Sequence, residues 1–519
     1  MEDKMKKSKG SVRLHAPAGI YEGCLYKHVQ EYLGIKYAEA ERFKKPERLG
    51  GAMKVYNAAE YGPACPQSVE GLKKGRESED CLHLNIWRPD EEPGHRRPVM
   101  VFIHGGGFNS GSNREALYDG KSLAARGEVV MVSINYRLGI FGFLDAESIC
   151  GPEKAYMKNL GLLDQIEALR WVQENIESFG GDAGNVTIFG ESAGSISVTA
   201  LLAAPAARGL FQKVIAQSGV ITGLGRSVED AANISDQLIY KLGLHSMNDI
   251  CTIPAESLVK TTVSFVNKNF TSNGPYNGSR MFAPTTDGEI IPFDIERAIQ
   301  ENAGKVQLLH GSNANEMHFF KLLIPELRQK HSVATYVLFY LRKYEHMSEE
   351  TTMAVYQDYK ERYPKWSRSK IFMQMFTDRA FRLYHTELSE LYSKAGGKVY
   401  QYRFSVEARW LKACHGLELG YLFNTVKTAF SFRNRTLLGI NENPGLTRRM
   451  QDAWVRFASE GNPGHAGIPE WKQYTKERPE TMIIGKKWVP RRHDHAEDDF
   501  AWKARVPETY TQRSAYRSY

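Results

Sequence analysis

The sequence predicts an α/β protein built on a mostly parallel sheet, and three observations predict it. Near-continuous apolar runs bounded by polar or glycine residues read as strands covered on both faces. Helical spacing lies between two of these runs, giving strand-helix-strand order. A serine-centred pentapeptide sits where one strand turns directly into a helix.

The elements follow in chain order. Pro98–His104 and Glu128–Asn135 are the first two buried-strand runs. Between Asn159 and Phe179 the residues Leu162, Ile166, Leu169, Trp171, Val172 and Ile176 fall on one broad helical stripe, which Gly180-Gly181 ends. Asn185–Phe189 is the next strand, and Val214, Val306–His310 and Val399–Phe404 continue the alternation more loosely. From 319 to 394 strand signals weaken and aromatics recur at helical spacings, which predicts a helical insertion over the sheet. The stretch Lys486–Tyr519 is polar and basic and reads as a surface tail packed by Trp488 and Trp502.

Composition narrows the function. The 519 residues carry 68 Lys plus Arg against 60 Asp plus Glu, a net charge of +8, so no strong basic field points to nucleic acid. Hydrophobic residues at 42% and charged residues at 25% permit a large core and argue against wholesale disorder. Six cysteines without CxxC spacing favour neither a disulfide scaffold nor a structural metal. The charged start, Met1–Lys9, is followed by Arg13, His15, Pro17 and Glu22 where a secretory signal needs an apolar core, so residues 1–12 are expected to be a disordered tail and the protein cytoplasmic. No apolar run approaches membrane-spanning length. Without repeats or low-complexity linkers, residues 13–519 are expected to form one catalytic domain.

Gly190-Glu191-Ser192-Ala193-Gly194 fits G-x-S-x-G between the Asn185–Phe189 strand and a helix-forming run, the context of a nucleophile elbow. With 45 glycines in the chain, chance supplies about 0.25 such pentapeptides, so the motif needs a second signal. His104-Gly105-Gly106-Gly107-Phe108 supplies it, directly after an earlier strand. Attack on an ester carbonyl puts negative charge on its oxygen, and glycine-loop amides can approach that oxygen unobstructed; Gly106, Gly107 and Ala193 are the expected oxyanion hole. A phosphate loop fits poorly, because no Gly-Lys-Ser/Thr follows. A serine hydroxyl also needs a base, and the base a carboxylate to orient it. Fifteen histidines compete; His415 follows the late strand Val399–Phe404, where a loop could return it to the sheet's C-terminal edge, while most of the others, His104 among them, read as surface or packing residues.

With these residues the chain resembles the type-B carboxylesterase and cholinesterase family of the α/β-hydrolase fold, from about Gly19 to the Trp471 region, and within it the intracellular bacterial-type carboxylesterases. Matching stretches include Ser78–Asn85, His104–Phe108, Asn135–Leu138, Asn159–Gln165, Phe179–Asp182, Gly190–Gly194, Gln217–Gly219 and Trp454–Ala458. The resemblance implies that Glu316, in Gly311-Ser-Asn-Ala-Asn-Glu316, is the third member beside Ser192 and His415, with Met317 where the family usually has glycine. It further implies that Ser218 hydrogen-bonds Glu316 and that Glu191 lines the site. Asp287 and Glu418 are rival acids, the first matching a segment that is usually structural and the second expected to steady the His415 loop. Cys65 and Cys81 match a disulfide of secreted relatives and are expected here as thiols.

The expected activity is hydrolysis of small to medium carboxylic esters through an acyl-enzyme, with no metal or organic cofactor. Phe108 and Trp410 are candidate pocket residues. The alternatives are a non-catalytic adhesion module of the same fold, or a specialised lipase, lactonase or amidase. Choline esters are disfavoured because the Cys65–Cys81 segment lacks Trp and Tyr to face a quaternary ammonium. The oligomeric state is not fixed by the sequence.

Overall fold

The computed structural model describes residues 10–49, 54–67, 76–91, 94–126, 128–150, 158–272, 281–345 and 347–505. Its strands are β1 (Gly10–Ala16), β2 (Gly19–Tyr26), β3 (Val29–Lys36), β4 (Ala38–Glu39), β5 (Glu47–Arg48), β6 (Val55–Asn57), β7 (His83–Pro89), β8 (Arg97–Ile103), β9 (Val130–Ile134), β10 (Gly181–Glu191), β11 (Lys213–Gln217), β12 (Gln307–Asn313), β13 (Val399–Phe404), β14 (Glu480–Ile484) and β15 (Trp488–Arg492). The main sheet has the order β1-β2-β3-β7-β9-β8-β10-β11-β12-β13-β14-β15, with β6 beside β2, while β4 and β5 form a separate ribbon.

From β9 to β14 every neighbouring pair is parallel; the strands outside this block pair antiparallel along the path. Alternation explains how the parallel strands stay dry on both faces. Val99, Val101 and Ile103 of β8 enter one core with Val130, Val132 and Ile134, whereas Met100, Phe102 and Met131 enter the core on the opposite face. The chain leaves β8 for β9 on one side and returns to β10 on the other, so β8 and β10 bound a topological switch point. Across that gap Ile103 pairs with Gly190, which starts the glycine loop and the elbow level with each other.

Helices cover both faces. In chain order we label α1 (Leu160–Asn175), α2 (Ala193–Ala203), α3 (Val228–Leu242), α4 (Ala255–Ser272), α5 (Val333–Tyr344), α6 (Glu349–Arg362), α7 (Arg368–Thr377), α8 (Leu383–Lys394), α9 (Pro444–Glu460) and α10 (Ala496–Lys503). α9 shows the local logic: Asn443 caps its start by accepting from the Leu446 amide, Pro444 opens the first turn, and Gly461 at φ 74° ends it. Its Leu446, Met450, Trp454 and Phe457 recur at helical spacing and pack on the core of the second face.

Between β12 and β13 the described chain carries the short helices Met317–Phe320 and Pro325–Arg328 and then α5 to α8. The α7–α8 junction widens into a π-helix over Asp378–Arg382, which turns Arg379 onto Glu345 and Arg382 onto Asp378. The helices α3 and α4, capped at Ser227 and ended at Gly243 in the case of α3, lie between β11 and β12 and were not foreseen in the sequence.

Two boundaries differ from the sequence reading. Residues 10–12, assigned to the disordered tail, are the start of β1 and pair with β2; residues 1–9 lie outside the described residues. The C-terminal stretch is not a surface tail up to residue 505: β15 pairs with β14, and α10 packs on the insertion, with Trp502 only 2% exposed. Asp498 and Asp499 of α10 pair with Arg362 and Arg382, so a segment that looks polar in isolation has its charges answered far away in sequence. Residues 506–519 lie outside the described residues. Among the described residues no helix is long and apolar enough to cross a membrane.

Candidate active site

The elbow forms because β10 runs straight into α2 with one residue between them. Ser192 takes φ 58° and ψ −122°, a conformation that L-residues rarely hold without support from their surroundings. Its amide donates to the Gln217 carbonyl at 2.9 Å, which fixes the strained residue to the end of β11. Close packing explains the flanking glycine: a Cβ on Gly194 would fall on the carbonyl oxygen of Ile103, far inside van der Waals contact.

The glycine loop comes up beside it, with Gly106 and Gly107 at φ 111° and 61°. The amides of Asn109 and Ser110 donate to the Gly106 carbonyl, and the Asn109 side chain donates to that of Gly107 at 2.8 Å. These bonds occupy the loop's carbonyls, while among the described residues the amides of Gly106, Gly107 and Ala193 have no hydrogen-bond acceptor. The Ala193 amide is a first-turn donor of α2, a position that leaves it free of intrahelical partners.

Glu316 follows β12 at the start of the short helix Met317–Phe320 and is fully buried. Its Oε1 accepts from the Asn313 amide at 2.6 Å, and its Oε2 accepts from His415 Nδ1 at 2.7 Å. The loops bearing the two residues are stitched together: Asn315 N–H donates to the Ala413 carbonyl at 2.9 Å and the Asn313 side chain to the Cys414 carbonyl at 2.6 Å. Met317, the next residue, is buried.

The other imidazole nitrogen, Nε2, lies 3.2 Å from Glu191 Oε1. No hydrogen bond joins Ser192 Oγ to His415 among the described residues, so the histidine is paired to Glu316 and not to the serine. The electrostatics follow from burial. Loss of water pulls the imidazole down, but the Glu191, Glu316 and Glu418 carboxylates outweigh it and raise it to about 9. Burial also pushes Glu191 up to about 8, against the pull of His415. Either way the Glu191–His415 pair retains a proton at neutral pH, since neither group reaches its fully deprotonated form there.

Several candidates occupy places other than those expected. Among the described residues Ser218 Oγ is buried without a hydrogen-bond partner, so its expected bond to Glu316 is not formed; the Glu316 oxygens accept from the Asn313 amide and from His415. Trp410 is 64% exposed with the Arg409 guanidinium over its ring, and the rings that approach His415 are Phe319, Phe320 and Phe381, at centroid distances of 6.1, 5.5 and 5.1 Å. Phe108 is buried edge-on against Phe143. Asp287 closes a turn, accepting from the amides of Glu289, Ile290 and Ile291. Cys65 and Cys81 are free, buried thiols.

Glu418 has a larger part than its loop. It accepts from Gln217 at 3.2 Å and Asn313 at 2.5 Å, joining β11, β12 and the His415 turn, and burial with the nearby Glu316 charge raises it to about 7. Its spacing three residues after His415 was visible in the sequence, but its partners were not. No group of His, Cys, Asp and Glu residues suited to a metal ion occurs among the described residues.

A parallel sheet with a strand-turn-helix serine elbow beside its switch point defines an α/β-hydrolase. The family model described as the carboxylesterase family matches residues 11–502, and the chain belongs to that family. It is 35% identical over 481 residues to the para-nitrobenzyl esterase of Bacillus subtilis (strain 168), covering 90% of this chain and 93% of that protein. It is 31% identical over 519 residues to the acetylcholinesterase of Bungarus fasciatus, covering 93% and 83% of the two. A carboxylesterase crystal structure from Geobacillus stearothermophilus superposes with a TM-score of 0.83 at 31% identity, over 95% of this chain and 100% of that one. The protein is a carboxylic-ester hydrolase.

Proposed function

We propose that the protein hydrolyses small to medium uncharged esters through an acyl-enzyme on Ser192, with His415 as general base and Glu316 as its orienting acid. The Glu316–His415 hydrogen bond of 2.7 Å, together with the elbow serine at φ 58°, carries this reading. It fixes the proton on Nδ1 and leaves Nε2 as the nitrogen that can act as base. In a substrate-free enzyme the remaining serine-to-histidine bond is commonly long, and it tightens as the ester binds.

On this reading Ser192 Oγ bonds to the ester carbonyl carbon as its proton passes to His415 Nε2. The amides of Gly106, Gly107 and Ala193 receive the resulting oxyanion, each such donor being worth about 3–4 kcal/mol. Collapse breaks the bond to the alcohol oxygen, which leaves with the proton from Nε2. Water then adds to the acyl carbon, its proton again moving to Nε2, and the carboxylic acid departs as the serine regains a proton. Glu191 Oε1, 3.2 Å away, is the resting neighbour of Nε2.

Phe319, Phe320 and Phe381 around His415 favour an apolar alcohol or acyl group over a charged one. The para-nitrobenzyl esterase of Bacillus subtilis, as a relative, adds para-nitrobenzyl esters as a first substrate to try. The free thiols of Cys65 and Cys81 fit a reducing, cytoplasmic setting. A series of esters of increasing acyl length, assayed on the wild-type protein and on Ser192→Ala, tests the proposal. Turnover of none of them by the wild type, or equal turnover by both proteins, would overturn it.

A further inference from the structure

A second buried cluster lies behind the elbow, outside the Ser192–His415–Glu316 group. His385 Nε2 is 3.2 Å from the Gly219 amide, His385 Nδ1 is 2.9 Å from His310 Nδ1, and His310 Nε2 is 2.8 Å from Ser389 Oγ, which donates to Gln401 Oε1 at 2.9 Å. His310 and Gln401 are register partners on β12 and β13, whereas His385 and Ser389 come from α8 of the insertion. All four side chains are buried.

The chain of bonds has a single direction. A backbone N–H can only donate, so His385 Nε2 accepts and its proton sits on Nδ1. That proton points at His310 Nδ1, which must therefore be bare, placing the proton of His310 on Nε2, where Ser389 Oγ accepts it. The serine's own proton then goes to Gln401. Adding a proton to either ring would set two N–H groups face to face, and burial agrees with this: it pushes His385 down to about 3 and His310 well below the ordinary histidine range.

What the network holds is the platform of the elbow. Gln217 ends β11, and Ser218 and Gly219 form the turn that follows; the Gln217 carbonyl accepts from Ser192 N–H at 2.9 Å, and the Gly219 carbonyl accepts from Ser195 Oγ at 2.6 Å. A Cβ added at Gly219 would lie 2.7 Å from the Ser192 carbonyl oxygen, so this turn and the nucleophile's backbone are in direct contact. Ser218 N–H meanwhile donates to the Gly311 carbonyl at 2.8 Å, on the strand that leads to Glu316.

We propose that His385 is a positioning residue for ester hydrolysis: locked in one tautomer by His310, Ser389 and Gln401, it fixes the Gly219 amide and with it the backbone under Ser192. This inference rests on Ser192 being the nucleophile. It makes the insertion a working part of the site: α8 reaches through the protein to set the height of the serine against the glycine loop.

The test uses the full chain, with steady-state kinetics on a para-nitrobenzyl ester, the rate of Ser192 labelling by a fluorophosphonate probe, and thermal melting. His385→Leu removes the acceptor for Gly219; kcat and the labelling rate are expected to fall together by about 10- to 100-fold, the cost of a nucleophile misplaced by a fraction of an ångström, with KM within about two-fold. His385→Gln, whose Oε1 can reach the place of Nε2, is expected to keep kcat within about three-fold of the wild type. His310→Leu, the variant to use if His385→Leu does not fold, removes the acceptor of the His385 proton and is expected to show the same kcat-only loss. Wild-type kcat and labelling in the folded Leu variant, with only a lower Tm, would mean that the histidines merely support packing and would overturn the inference; so would equal losses in the Leu and Gln variants. If the wild-type protein is not labelled at Ser192, the nucleophile assignment itself fails, a result distinct from either of these.

Discussion

Glu191 Oε1 stands 3.2 Å from Nε2 of His415, on the side of the ring that the proposed mechanism assigns to Ser192. The residue next to Ser192 is therefore a rival partner for the proposed base. Its carboxylate favours the charged imidazole, which is the form that cannot accept a proton.

A pH profile measures this rivalry. A base raised to about 9 is protonated over most of the neutral range, so kcat/KM is expected to be high at alkaline pH and to fall as pH drops through that value. Glu191→Gln removes the charge while keeping the shape, and should move the acidic limb to lower pH by about one pH unit or more. A limb at the same pH in both proteins would show that Glu191 does not set the base.

Ser192→Ala is expected to remove turnover by a factor on the order of a million, because nucleophile, base and acid act as a unit. Circular dichroism and Tm should remain those of a folded protein. Ester hydrolysis at an ordinary rate would reassign the nucleophile.

The strain at the elbow gives a stability prediction independent of activity. At φ 58° a Cβ is unfavourable, so Ser192→Gly should be more stable than Ser192→Ala by about 1 kcal/mol in denaturant unfolding. Both variants lack the hydroxyl, which isolates the backbone effect. Equal stabilities would indicate that the elbow holds no strain.

Trp502 tests the C-terminal helix. Its indole N–H donates to Tyr359 OH at 3.0 Å and its ring is buried against the insertion. Trp502→Ala is expected to cost about 3–5 kcal/mol, read as a lower Tm or denaturant midpoint. A change below 1 kcal/mol, within the scatter of surface substitutions, would place the ring outside the core.

Much of the central sheet was legible because each buried strand is apolar by itself: β8, β9, β10, β12 and β13 all lie on runs read from the sequence. The elbow and the glycine loop were legible for a different reason, since their geometry demands particular residues at fixed spacing. What escaped was whatever depends on distant partners. α10 reads as a charged surface because the guanidinium groups answering Asp498 and Asp499 belong to residues more than a hundred positions earlier. His310 and His385 meet across 75 residues, and neither lies in a motif. Ser218 failed in the opposite sense: its sequence context matched, but among the described residues its hydroxyl meets no partner.

The pairing of Asp498 and Asp499 with Arg362 and Arg382 also has a bearing on how the polypeptide matures. Until α10 has been made, the buried Arg382 guanidinium has Asp378 without Asp499 as its counter-charge, and Arg362 lacks Asp498. The insertion that brings Phe319, Phe320 and Phe381 to His415 thus completes its charge pairing only once a segment more than a hundred residues downstream has been made, and a nascent chain stopped before it would present a half-neutralised insertion to the quality-control machinery of the cell.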